Sequence, residues 1–209
     1  PAGYGSPIGG QAVLNANNSA SVRAERQLAA SIDTNPLATQ TIYLSVLFRR
    51  DDATNGGGTE NSEYLRLDDA SNVRVATVGQ TSGEAFRLQL GSAIVETGIG
   101  SVDIGADYLL IAKLTLNPAG TDDTLEAQLF TASDAISEPV TWQGSISSDL
   151  SSVATKFVVS QARFAEVLAV DEIRIGDTFA DVAAVPEPAS LAALAALGLL
   201  TASRRPQRG

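Results

Sequence analysis

The side chains that carry most enzyme chemistry are missing from this sequence, whose 209 residues contain no histidine and no cysteine. A Ser-His-Asp triad, an imidazole general base, a thiolate nucleophile and thiolate or imidazole metal sites are excluded together. Most hydrolase mechanisms go with them, and the acidic residues are the next candidates. Asp51 and Asp52 with Asn55 and Glu60, and the Asp122-Asp123 pair, offer the hard oxygens that Ca²⁺ prefers. They lack the regular acidic spacing of a calcium loop and read as solvated turn carboxylates, so no metal and no cofactor is expected. A glycosidase would need two carboxyl groups facing one another across a cleft, about 5.5 Å or more apart. Glu84, Glu126 and Glu172 are scattered instead, and the single tryptophan, Trp142, reads as a loop or core aromatic, as do Tyr4, Tyr43, Tyr64 and Tyr108. No catalytic residue is expected.

The chain carries 24 acidic against 14 basic residues, a formal charge of -10, so its surface repels phosphate backbones and nucleic acid is not an expected partner. Without cysteine no disulfide framework is available. Hydrophobic residues make up 44% of the chain but aromatics only 5%, which leaves a core of Leu, Val and Ile.

Elements that could position side chains follow from periodicity. Residues 1–20 are rich in Gly, Ala, Ser and Asn and read as loop or a frayed first strand. Residues 21–32 fit either a short helix or an edge strand, and their neighbours favour the strand. In 41–48, Ile42, Leu44, Val46 and Phe48 share one face while Tyr43, Ser45 and Leu47 share the other. The polar run 49–62, containing Gly56-Gly57-Gly58, reads as an exposed loop. Short strands are expected at 64–67 and 73–78 around an Asp68 to Asn72 hairpin turn, and at 85–90 and 93–97 around Gly91-Ser92. The apolar run 108–116 predicts a central strand buried on both faces, paired with 124–130. Strands at 156–159, 162–168 and 172–175 complete an antiparallel sandwich or jelly roll. The expected fold is all-β.

At residue 183 the composition changes. Val185, Pro186, Glu187 and Pro188 precede an uncharged stretch, residues 189–203, which carries Leu191, Leu194, Leu197, Leu199 and Leu200. Arg204, Arg205 and Arg208 follow. The apolar stretch is shorter than the roughly 20 residues of an upright membrane span, and becomes a marginal span with flanking residues and local thinning. The trailing arginines would hold that end on the cytoplasmic side.

This order of a Pro-Glu-Pro motif, short apolar segment and basic terminus resembles the PEP-CTERM sorting signal of many Gram-negative bacteria. The resemblance implies a membrane-embedded protease of the exosortase type as partner and an exported protein, transiently anchored and then carried to the cell envelope, surface or extracellular matrix. Upstream, Tyr43 to Arg49, Gly83 to Arg87, Asp107 to Leu114 and Asp171 to Gly176 resemble strands of LamG-like, concanavalin A-like jelly-roll domains. That resemblance covers residues 22–182 and implies a sandwich closed by the Asp171 to Gly176 strand, then a short C-terminal hydrophobic helix. Three regions are thus expected: a flexible or incomplete segment 1–20, a β-sandwich 21–182 and a sorting signal 183–209. Nothing near Pro1 resembles a secretion signal, so the sequence is expected to be a fragment or to start where such a signal was removed. The expected function is a non-catalytic surface or matrix module. The alternative is a carbohydrate-binding LamG-like module that takes an extracellular polysaccharide through edge loops such as 49–62, and a glycoside hydrolase comes last.

Overall fold

The structure, a computed structural model, describes residues 12–15, 22–51, 62–81, 85–99, 102–161 and 167–183. The described residues form two six-stranded antiparallel sheets. Sheet A contains β1 (Ala12–Asn15), β12 (Val167–Gly176), β3 (Gln40–Asp51), β8 (Asp107–Leu116), β9 (Asp123–Thr131) and β10 (Gly144–Ser148), in that spatial order. Sheet B runs β2 (Val22–Asp33), β11 (Val153–Gln161), β4 (Ser62–Asp68), β5 (Arg74–Gln80), β6 (Phe86–Leu90) and β7 (Ala93–Glu96). The fold is the expected all-β sandwich. One short helix, α1 (Phe179–Ala183), follows β12.

Alternation along the strands explains the two layers. Ile42, Leu44, Val46 and Phe48 of β3 point inward with Leu110, Ala112, Leu114 and Leu116 of β8, and meet Leu65, Leu67, Val78, Leu88 and Phe157 of sheet B in one buried core. Phe48 stacks on Tyr64 with ring centroids 4.1 Å apart, so aromatic faces bridge the sheets where the aliphatic core ends. The outer face of these strands is covered in part: Tyr43 and Ser45 of β3 and Leu109 and Ile111 of β8 are buried there. On the outer face of sheet A, Tyr43, Leu109, Ile111 and Phe130 form a second cluster closed by Phe179 and Val182 of α1. Ser45 Oγ donates to Val182 O at 2.9 Å, which satisfies a buried hydroxyl and a helix-end carbonyl together.

Hairpin chemistry sets the register. Gly91 has φ +56°, the left-handed conformation that the two-residue turn between Leu90 and Ala93 requires. In the β4–β5 turn, Asn72 takes φ +66° while Asp69 Oδ1 accepts the backbone N–H groups of Ser71 and Val73, both at 2.8 Å.

Four features differ from the expectations. The chain stays extended through Asp51, so Arg49, Arg50 and Asp51 belong to β3 rather than to the following loop. Of the strand expected at 162–168, residues 162–166 lie outside the described residues, and Val167 and Leu168 open a single strand, Val167–Gly176, which takes in the strand expected at 172–175 and is interrupted by a register shift between Asp171 and Arg174 where Glu172 has φ +48°. β10 lies in a segment to which the periodicity assigns no element, with serines at 145, 147 and 148; its Ile146 packs on the core. Arg50, on the inward face of β3, is 6% exposed and donates from Nη1 to Gln80 Oε1 and Val102 O, both at 3.1 Å. Inward Arg50 follows from strict alternation after Phe48, with paired acceptors offsetting its burial.

Candidate functional site

The outer face of sheet A carries a groove of about 400 Å³ beside the cluster that α1 seals. Strand register builds it from two cross-strand rows. One row runs Asp171, Leu47, Leu109, Phe130 across β12, β3, β8 and β9; the next runs Ala169, Arg49, Asp107. Leu109, Phe130 and Ala169 are buried and form an apolar floor, while the 131–136 segment supplies Thr131, Asp134 and Ile136 at the edge. Ile136 remains 37% exposed.

Among the described residues, three carboxylates, Asp107, Asp134 and Asp171, and one cation, Arg49, stand around this floor. Arg49 Nη1 lies 3.7 Å from Asp107 Oδ1, an exposed pair of little energetic weight. Asp134 Oδ2 accepts from Thr131 N at 2.6 Å and from Thr131 Oγ1 at 2.8 Å. These bonds, the backbone one foremost, hold Asp134 below the usual carboxylate range, the opposite of the shift that a general acid needs. Asp171 Oδ1 accepts from Glu172 N at 2.9 Å, at the bulge that re-aims β12. Asp134 and Asp171 are thus tied into a turn and a bulge while Asp107 pairs with Arg49, and the groove offers an apolar bed with a negative rim. Such a site accommodates an apolar segment with cationic or hydroxyl-bearing flanks.

A second polar region lies on sheet B. Arg66 donates bidentately to Asp68, 2.6 Å to each oxygen, and from Nη1 to Glu63 Oε2 at 2.9 Å. Glu63 also accepts from Arg74 Nε at 2.7 Å and from Ser160 Oγ at 2.5 Å. Burial pushes the Glu63 carboxyl up, but the Ser160 and Arg66 hydrogen bonds and the Arg66 and Arg74 charges outweigh it and leave it below its ordinary value. Strict alternation would separate Glu63 from Arg66; the irregularity between Glu63 and Leu65 brings them to one face. These charges satisfy one another, which makes the network structural.

The calcium and glycosidase candidates divide similarly. Asp122 is exposed as expected, whereas Asp123 is fully buried: Oδ1 accepts from Asn117 N at 2.7 Å and Oδ2 from Leu150 N at 2.8 Å. The solvated reading of Asp123 is therefore corrected, since both oxygens brace the β8–β9 turn against residue 150. Glu126 pairs with Lys113 at 3.5 Å and Glu172 with Arg174 at 3.0 Å. Trp142 is half-buried against the second cluster with Lys113 Nζ 5.9 Å from its ring centroid, a packed aromatic as expected. Among the described residues no cluster of acids fit to hold a metal occurs, and no helix is long and apolar enough to cross a membrane.

Several expectations fall outside the described residues. These are Tyr4, Asp52, Asn55, Glu60 and Glu84, the motif Val185, Pro186, Glu187 and Pro188, the apolar Leu191, Leu194, Leu197, Leu199 and Leu200, and the basic Arg204, Arg205 and Arg208. Sequence reasoning missed the groove because its components are separate positions on four strands. The one available signal was the second face of β3, where Leu47 and Arg49 follow Tyr43 and Ser45.

No family model matches the chain, and no curated protein matches it. Solved structures with a similar fold include the GH131 β-glucanase catalytic domain from Podospora anserina, 14% identical over 83% of this chain and 75% of that one, with a TM-score of 0.48. The sialidase of Trypanosoma rangeli is 12% identical over 69% of this chain with a TM-score of 0.41, and the chain spans only 22% of its length. An alginate lyase from Alteromonas sp. 272 is 6% identical over 66% of this chain and 72% of that one, with a TM-score of 0.38. The chain's own strand order makes it a two-layered antiparallel β-sandwich.

Proposed function

We propose that this chain is an exported, non-catalytic surface module whose C-terminal segment is a sorting signal of the PEP-CTERM type, read by an exosortase-type membrane protease. The observation that carries the reading is a juxtaposition. α1 closes the outer face of sheet A with Phe179 and Val182, and within three residues of Val182 the sequence turns to Val185, Pro186, Glu187 and Pro188. The change from buried helix residues to an apolar run followed by arginines is thus abrupt, which suits a segment with a separate purpose. Proline at 186 and 188 favours an extended, helix-free stretch suited to a protease cleft, and the apolar run followed by Arg204 and Arg205 sets a depth in the membrane. The absence of histidine and cysteine from the sequence supports a non-catalytic role.

The test is substitution of Pro186, Glu187 and Pro188 together by alanine in a host that carries an exosortase. The unaltered protein should lose its tail and reach the surface, and the altered protein should stay unprocessed in the membrane fraction. Equal processing and surface exposure of both proteins would refute the sorting function.

A further inference from the structure

We infer that the groove on the outer face of sheet A seats the apolar C-terminal segment of the same chain, shielding it until it is delivered to the membrane. The inference rests on the tail being a membrane-directed signal but not on its cleavage. Three observations converge on this occupant.

The first is continuity. The groove shares Leu47, Leu109 and Phe130 with the cluster that α1 covers, and the Phe130 ring centroid lies 6.4 Å from that of Phe179. The chain therefore leaves α1 at Ala183 beside the groove, on the same face of the same sheet. The second is reach. From Ala183 to Leu191 the chain spans eight residues, up to about 26 Å when extended, which is ample to bring the first leucines over Phe130 and Leu109. A groove of about 400 Å³ holds a few of those side chains rather than the whole segment. The third is charge. Among the described residues lining the groove, Asp107, Asp134 and Asp171 outnumber Arg49, and the apolar run is followed by Arg204, Arg205 and Arg208. A covalent tether supplies an effective concentration in the millimolar range, so a weak site suffices to cover an apolar run that is otherwise an aggregation liability.

Because the chain has no cysteine, single thiols can be placed cleanly. The experiment uses the full chain carrying Leu194→Cys and measures its rate of maleimide labelling in detergent-free buffer, against the same protein carrying Ser203→Cys. Seating predicts roughly tenfold slower labelling at position 194, an occupancy of about nine-tenths. Ala132→Trp, at an exposed position on the groove edge, should abolish most of that protection by filling the site. Asp107→Asn with Asp171→Asn should weaken it by removing charge while keeping hydrogen-bonding capacity. Arg204, Arg205 and Arg208 changed together to Glu should weaken it from the other side without touching the sandwich. Equal labelling at both positions overturns the inference, as does protection that survives Ala132→Trp and the charge changes. Protection that disappears on dilution overturns it in favour of a second copy. A groove that binds a β-glucan oligosaccharide equally well in the full chain and in a chain ending at Ala183 also overturns it. Failure of the sorting function reads differently, as unprocessed protein in cells while position 194 stays protected in vitro.

Discussion

Replacing Phe179 by alanine probes where the folded unit ends. Phe179 is 9% exposed and makes edge contacts with Tyr43 and Phe130 at centroid distances of 6.2 Å and 6.4 Å. Core Phe→Ala changes cost about 3–5 kcal/mol, and the outer cluster, being small and peripheral, relaxes more readily than the central core, which places this loss near about 3 kcal/mol. A five-residue helix has no independent stability, so the loss of its anchor should undock α1 as a unit and release the bond from Ser45 Oγ to Val182 O. For a domain of this size the expected drop in Tm is about 6–12 °C, taking about 2–4 °C per kcal/mol. The assay is urea denaturation of the variant and of the unaltered chain, with calorimetry as a second readout. A change below about 1 kcal/mol would refute the claim that α1 is part of the fold rather than the first turn of the tail.

Other outcomes follow from the same packing. Leu110→Ala and Leu114→Ala, both fully buried and inward-facing on β8, should each cost about 2–5 kcal/mol, and unchanged midpoints would contradict the register of that strand. Gly79→Ala should destabilise by about 1–3 kcal/mol, because the added Cβ would sit 2.3 Å from the carbonyl oxygen of Ser62 on the neighbouring strand; an unchanged midpoint would show that β4 and β5 yield at that point. Glu63 is held below its ordinary pKa when folded, so its contribution is present above the unfolded carboxylate value of about 4.3 and is lost as pH falls through the lower folded value. Stability of the unaltered chain should therefore fall below about pH 4.5 with a steeper slope than that of Glu63→Gln, and parallel curves would contradict the network.

Strands with clean alternation were legible before the structure. β6 and β7 around Gly91, and β8 against β9, stand where Phe86, Leu88 and Leu90 and the 108–116 run placed them, because one-residue slips would turn those side chains to the wrong face. β10 was hidden because serines occupy its outward positions and only Ile146 reaches inward. The bulges in β4 and β12 were also hidden: period-two reasoning cannot foresee an extra residue, yet the irregularity in β4 joins Glu63 to Arg66, and that in β12 follows directly on Asp171. Asp123 looked like any turn acid in sequence, since its second hydrogen bond comes from Leu150, 27 positions away. The groove depends on four strands converging, which is a property of topology rather than of any segment.

The fate of the C-terminus can be read by intact-mass analysis of the protein recovered from the surface of an exosortase-bearing host. A sorted protein should be a folded species that still contains α1 and Ala183 but lacks Arg204, Arg205 and Arg208, with the loss abolished when Pro186, Glu187 and Pro188 are replaced. A surface species that retains the three arginines would contradict it.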